Sequence, residues 1–190
     1  EPRMIKNISL LLVVLVLGIG YTVMNDESAP RAVRPVIPPQ DTEHGLMPAP
    51  DFTWLDLNGN KHTLYDIQDK VIVLNIWATW CTPCVKEFPQ MVELAKAKKD
   101  KSIFIFLSVD ENKEDVIRFL KKYGDEEKAD NVFIGLDKTK DISMGLFGTQ
   151  KYPETFILNP RHDIMEKIVG ADVDWTSDAM RKKIDDIYSQ

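Results

Sequence analysis

Cys81 and Cys84 are the only cysteines in a chain of 190 residues, and they stand three positions apart in Trp80-Cys81-Thr82-Pro83-Cys84. Two thiols at that spacing can close a small-ring disulfide and release it again, which is the chemistry of thiol–disulfide exchange and not of a structural staple. The motif follows the apolar run Val71-Ile72-Val73-Leu74-Asn75-Ile76-Trp77 and opens a stretch with helical spacing. A helix start suits it. Orphan N–H groups and the macrodipole favour negative charge there, so a thiolate at Cys81 is stabilised and becomes the attacking sulfur. Pro83 fits a first helical turn, where its missing N–H costs nothing. Cys84 shares the helix face, lies further inward and can resolve a mixed disulfide. The plainer alternative, two unpaired core cysteines, suits the order strand, CxxC, helix less well. A metal site would need more ligands, and His44, His62 and His162 are scattered without ligand spacing. Each histidine reads as an ordinary loop or surface residue, and no metal is expected.

The elements that must position this motif alternate between strand and helix. Asp51 to Tyr65 holds two short alternating runs around Asn58-Gly59-Asn60, a hairpin signal. Val71 to Ile76 and Ile103 to Val109 are continuous apolar runs, as in buried parallel strands. The CxxC helix should reach about Lys98, with Phe88, Met91, Val92, Leu94 and Ala95 inward and a kink at Pro89. Val116, Ile117, Leu120 and Tyr123 mark a helix from Glu114 that stops at Gly124. A short strand over 132–136 and a short helix over 141–147 follow. Thr155 to Leu158 and Ile164 to Val169 flank the turn Asn159-Pro160-Arg161-His162-Asp163, giving a second hairpin. Met180, Ile184, Ile187 and Tyr188 define a last amphipathic helix, capped near Asp174 or Ser177. The pattern predicts an α/β sandwich with a mixed central sheet.

The N-terminal part reads differently. Ile8 to Met24 is an uncharged run of 17 residues; at about 1.5 Å per residue it spans roughly 26 Å, the short end of a membrane helix. Arg3 and Lys6 precede it, and Asp26 and Glu27 follow. The positive-inside bias places the N-terminus in the cytoplasm and the remainder outside. Met4 is a plausible natural start. No small-x-small site adjoins the apolar run, so an uncleaved signal anchor is expected over 1–25. Pro30, Pro35, Pro38, Pro39, Pro48 and Pro50, six of the 11 prolines, make the next stretch an extended tether, drawn over 26–47. Residues 48–190 form one domain with room for a core. A net charge of −6 argues against nucleic acid as partner.

Four segments carry a resemblance: Ala49-Pro50-Asp51-Phe52, Trp77-Ala78-Thr79-Trp80-Cys81-Thr82-Pro83-Cys84, Glu87-Phe88-Pro89 and Tyr152-Pro153-Glu154-Thr155-Phe156. Together they resemble the thioredoxin fold, and more closely its membrane-anchored extracytoplasmic branch, the TlpA, ResA and CcmG (DsbE) type. The similarity spans roughly 48–190. It implies a thioredoxin-like sandwich with an N-terminal hairpin and a central insert within 110–144, of which Asp125-Glu126-Glu127-Lys128 reads as a solvated loop. It implies Cys81 as nucleophile, Cys84 as resolving cysteine, and Pro153 as the cis-proline beside which the backbone of Tyr152 pairs with an extended substrate. Trp80, Thr82 and Pro83 complete the expected substrate face; Trp77 and Trp80 are also expected to pack. Ordinary thioredoxins carry a buried Asp six residues before the first cysteine, where this chain has Asn75. Glu87 resembles the Glu that follows CxxC in ResA-like proteins, and burial would fit it to handle the proton of Cys84. The alternative is a solvated Glu favoured by the helix dipole.

By this resemblance the chain is expected to reduce protein disulfides on the outer face of the cytoplasmic membrane, or in the periplasm. The redox-active disulfide would be its own cofactor. Electrons would come from a membrane thiol transporter of the DsbD or CcdA type, and the CxxCH of an apocytochrome c is a candidate substrate. The rival readings are a disulfide oxidase or isomerase using the same residues, and a non-catalytic module, either chaperone-like or a copper carrier. Copper carriers of this fold usually have Cys-x-x-x-Cys, one residue longer than the spacing here.

Overall fold

The computed structural model describes residues 46–122 and 129–190. The expected membrane segment, most of the tether, His44, the helix stop at Gly124 and the loop 125–128 lie outside the described residues. Among the described residues no helix is long and apolar enough to cross a membrane.

The strands are β1 (Met47–Pro48), β2 (Thr53–Leu55), β3 (Lys61–Thr63), β4 (Val71–Trp77), β5 (Ser102–Ser108), β6 (Val132–Leu136), β7 (Glu154–Leu158) and β8 (Asp163–Val169). The helices are α1 (Thr82–Ala97), α2 (Lys113–Leu120) and α3 (Asp178–Tyr188). One six-stranded sheet runs β1-β8-β7-β4-β5-β6, and β2-β3 forms a separate hairpin. β4, β5 and β6 are parallel; β7 runs antiparallel to β4, and β8 and β1 continue the antiparallel half. The predicted mixed sheet is therefore present.

β4 lies at the centre, and each of its residues is buried, which explains why it reads as one unbroken apolar run. Its side chains alternate between faces. On one face Trp77 meets Phe88 of α1 and Phe119 of α2, at ring separations of 5.3 and 5.0 Å. On the other, Phe156 of β7 meets Phe147, which in turn meets Phe52 at 5.6 Å. The β2-β3 hairpin is held against β6 by Trp54, which lies over Gly135 so closely that a Cβ there would stand 2.5 Å from its ring.

Several local expectations change. α1 runs through Pro89 to Ala97, close to its expected end at Lys98. α3 takes Ser177 as its cap, the Ser177 Oγ accepting from Met180 N at 3.2 Å; Asp174 instead closes a turn onto Thr176. The short helix after β6 is a π-type turn over Asp141–Leu146, with Gly145 N donating to Lys140 O and Phe147 N to Ile142 O, five residues back; the Asp137 carboxylate caps its first turn at Ile142 N and Ser143 N. β1, a two-residue strand paired with the start of β8, has no counterpart in the sequence reading. His162 is buried, not a surface residue: it stacks on Tyr65 at 4.5 Å and bonds the Ile67 carbonyl. His62, half-buried, pairs with Asp56 at 3.2 Å.

Candidate functional site

β4 ends at Trp77, and the chain turns through Ala78, Thr79 and Trp80 into α1. That turn is anchored by Asp110, just beyond β5, a residue the sequence reading passed over. Its buried carboxylate accepts from Thr79 N at 2.9 Å, Thr79 Oγ1 at 2.7 Å and Ser108 Oγ at 2.6 Å. The conformation before the helix is thus fixed by a side chain from the neighbouring strand.

Cys81 is the N-cap of α1, in extended backbone, and its sulfur accepts from Cys84 N at 3.3 Å. A sulfur in that position meets the positive end of the helix dipole. Cys81 and Cys84 are joined in a disulfide with Cα atoms 5.3 Å apart. Both are buried; Thr82 and Pro83 between them are exposed. The sulfur pair therefore sits just beneath a surface made by the two intervening residues. Trp80 forms the next part of that surface. It is 63% exposed, so of the two tryptophans expected to pack, only Trp77 does so in the core. The Trp80 ring meets Tyr152 edge to face at 5.8 Å, and this contact brings the CxxC segment and the Tyr152-Pro153 segment together. The Tyr152–Pro153 bond is cis, and the Pro153 carbonyl accepts from Gly170 N at 2.9 Å. The Tyr152 hydroxyl is pushed up from its ordinary value by partial burial and by the nearby Asp137 and Glu154 carboxylates.

Glu87 sits one helical turn after Cys84 and is 3% exposed, so the solvated alternative does not hold. Its Oε1 accepts from Asn75 Nδ2 at 3.0 Å and its Oε2 from Trp175 Nε1 at 3.2 Å. Asn75 also donates to Thr155 Oγ1, at 2.9 Å. Burial pushes the Glu87 carboxyl above its usual range, while the hydrogen bonds from Trp175 and Asn75 oppose that shift. Asn75 thus replaces the acid found in ordinary thioredoxins with a donor aimed at the acid on the helix. Trp175 was not singled out from sequence. The available signal was a lone tryptophan in the polar stretch Asp174-Trp175-Thr176-Ser177, and it is fully buried. Among the described residues no cluster of His, Cys, Asp or Glu could hold a metal ion.

A dithiol set at this helix start, on this order of strands, places the protein among thiol–disulfide oxidoreductases of thioredoxin-like fold. Comparisons with known proteins give the same class. The redoxin family model matches residues 46–184, and the chain belongs to that family, in its TlpA/ResA/CcmG-type branch. The thiol-disulfide oxidoreductase ResA of Bacillus subtilis (strain 168) is 31% identical over 161 residues, covering 84% of this chain and 82% of the relative. The thioredoxin-like protein YneN of the same organism is 34% identical over 140 residues, covering 72% and 76%. Among solved structures, the thioredoxin domain of a thiol-disulfide oxidoreductase from Bacteroides vulgatus superposes with a TM-score of 0.61 at 23% identity, covering 72% of this chain and 95% of that one. The pneumococcal exposed lipoprotein thioredoxin from Streptococcus pneumoniae strain TIGR4 gives 0.57 at 20% identity, covering 72% and 98%. At such identities these two structures speak for the fold alone.

Proposed function

We propose that the chain reduces disulfides in protein substrates outside the cytoplasm, with Cys81 attacking and Cys84 resolving. The observation that carries this reading is the closed Cys81–Cys84 pair at the helix start, one turn ahead of a buried carboxylate. In the forward direction the Cys81 thiolate attacks one sulfur of the substrate disulfide and releases the other as a thiolate. Cys84 gives its proton to the Glu87 carboxylate and attacks Cys81 Sγ. The second substrate sulfur leaves as a thiolate and takes up the proton. Two electrons pass to the substrate, and the protein is left as the disulfide seen here. A dithiol donor restores it by the same exchange in reverse; the DsbD/CcdA type of membrane transporter has the required chemistry.

Substrate would lie against Trp80, Thr82, Pro83 and Tyr152, beside Pro153. With the Pro153 carbonyl already bonded to Gly170, backbone pairing to an extended peptide falls to Tyr152. Anchoring through residues 1–25 and exposure on the outer face of the membrane, with 48–190 as the catalytic domain, complete the proposal. The substrate class is a protein disulfide, with the CxxCH of an apocytochrome c as its most specific member. The direction rests on Thr82-Pro83, which resembles reducing members of the family more than the Pro-His dipeptide of strong oxidants.

The test is the reduction potential of Cys81–Cys84, measured by equilibration in a thiol buffer and read through tryptophan fluorescence. A value near about −270 mV, or slightly less negative, is expected of a dedicated reductase; a value near about −120 mV means an oxidant and overturns the direction. The role of Glu87 is tested separately by Glu87→Gln. Loss of one ionisation from the pH dependence of exchange supports it, and an unchanged profile removes Glu87 from the chemistry.

A further inference from the structure

We propose that Trp175 is a positioning residue for exchange at Cys81–Cys84, its indole N–H holding the Glu87 carboxylate in the orientation and charge state that the proton transfer needs. This rests on the reading of Glu87 given above and extends it to a residue 88 positions away in sequence.

Three observations carry the proposal. The indole of Trp175 is fully buried, and its single donor points at Glu87 Oε2 at 3.2 Å. Burial alone does not account for that pairing, because Trp54 and Trp77 are also buried and their indole nitrogens have no hydrogen-bond partner among the described residues. The two donors on Glu87 also reach different oxygens from different elements, Asn75 from β4 and Trp175 from the segment before α3. A carboxylate held at both oxygens has a fixed plane, and each N–H favours its anionic form.

Among the described residues no charged group bonds or pairs with Glu87. On the elements around it, Lys86 is exposed and Cys84 is in the disulfide. Glu154 pairs with Lys167, and Glu93 with Arg181. Asp174 caps the turn at Thr176, and Asp178 opens α3. The carboxylate is therefore governed by its burial and by two neutral donors. Removing one donor shifts the balance towards the protonated acid.

The experiment is a pH–rate profile of single-turnover insulin reduction by the full-length chain, reduced beforehand with dithiothreitol and freed of it, for wild type, Trp175→Phe, Glu87→Gln and the double variant. Phenylalanine keeps an aromatic ring and removes the N–H. The expected result is that Glu87→Gln lacks the Glu87 ionisation. Trp175→Phe should move it to higher pH by about one unit, a tenfold change in its acid constant. The double variant should match Glu87→Gln. If Glu87→Gln loses the ionisation while Trp175→Phe superimposes on wild type, the positioning role is overturned and the proton-handling role of Glu87 stands. If Glu87→Gln keeps the ionisation, both fall. Should Trp175→Phe not fold, the indole ¹⁵N–¹H resonance of Trp175 in the wild type decides. It should titrate with the midpoint of the rate profile and be flat in Glu87→Gln; a flat wild-type resonance overturns the proposal.

Discussion

Asp110→Ala perturbs the turn that presents Cys81 without touching the cysteines. Asp110 is 2% exposed, and its carboxylate accepts from Thr79 N, Thr79 Oγ1 and Ser108 Oγ. Alanine removes all three acceptors at once. Hydrogen bonds to a charged group contribute about 1.5–3 kcal/mol each in net terms. Against that stands the cost of having buried the charge, several kcal/mol, and Thr79, only half-buried, regains water. The balance is a loss of about 2–4 kcal/mol. Asp110→Asn keeps the shape. Its carbonyl oxygen can take the Oδ2 position and accept from Thr79 N and Ser108 Oγ, while its amide donates to Thr79 Oγ1. What goes is charge assistance, about 1 kcal/mol. Urea denaturation of the oxidised protein, followed by fluorescence, measures both as shifts of midpoint at constant slope. Exchange with insulin should slow in Asp110→Ala by more than its unfolded fraction explains, because residues 79–81 lose their anchor. Alanine and asparagine variants within about 0.5 kcal/mol of each other would refute the reasoning, since shape and donors would then not matter.

Two further outcomes are expected. Gly135→Ala places a Cβ 2.5 Å from Trp54 Cδ1 and 3.2 Å from Leu107 Cδ1, and Trp54 is backed by His62 at 5.3 Å and Phe133 at 6.5 Å. It should therefore cost about 1–3 kcal/mol in urea denaturation. The raised carboxyl of Glu87 binds its proton more tightly in the folded than in the unfolded state. Its favourable contribution is full below the ordinary carboxylate range and is lost as pH rises through the folded value. The stability of wild type relative to Glu87→Gln should fall across that window, by about 1.4 kcal/mol for each unit of displacement, and then level off. Equal slopes of stability against pH in the two proteins would contradict it.

What could be read in the sequence was local or periodic. The CxxC helix start and the buried runs of β4 and β5 depend on neighbours in the chain, and they stand where spacing put them; of the two caps that spacing allowed for the last helix, Asp174 and Ser177, the structure uses Ser177. What could not be read depends on residues far apart. Trp80 and Trp77 look alike in sequence, yet one is 63% exposed and the other 1%; only the direction of the chain after β4 separates them. β1 is two residues long and contains a proline, too short for any period. The π-type turn is local, with Asp137 capping N–H groups five and six residues on, but its five-residue bonds follow no sequence period. His162 is buried because Tyr65 stacks on it from 97 positions away. In sequence Asn75 is only the absence of an acid; its structural meaning lies in its donation to Glu87 and Thr155.

That donation gives a physical reason for an amide, and not a second acid, on the strand beside Glu87. Asn75 Nδ2 is 3.0 Å from Glu87 Oε1. An aspartate at position 75 would bring a second carboxylate into contact with the first, in a site closed to water. Two like charges at that distance cannot both be held, so one carboxyl would stay protonated and its proton would be shared with the other. An amide avoids the conflict and supplies an N–H that favours the anion. A carboxylate on the strand would in turn call for a neutral partner on the helix. The amide at position 75 and the acid at position 87 are thus physically coupled in this chain, and Trp175, which donates to Glu87 Oε2, belongs to the same arrangement. Asn75, Thr155 and Trp175 come from β4, β7 and the entry to α3, so the carboxylate beside the CxxC pair is set by the tertiary fold as a whole. The helix that carries both cysteines could not provide that environment alone.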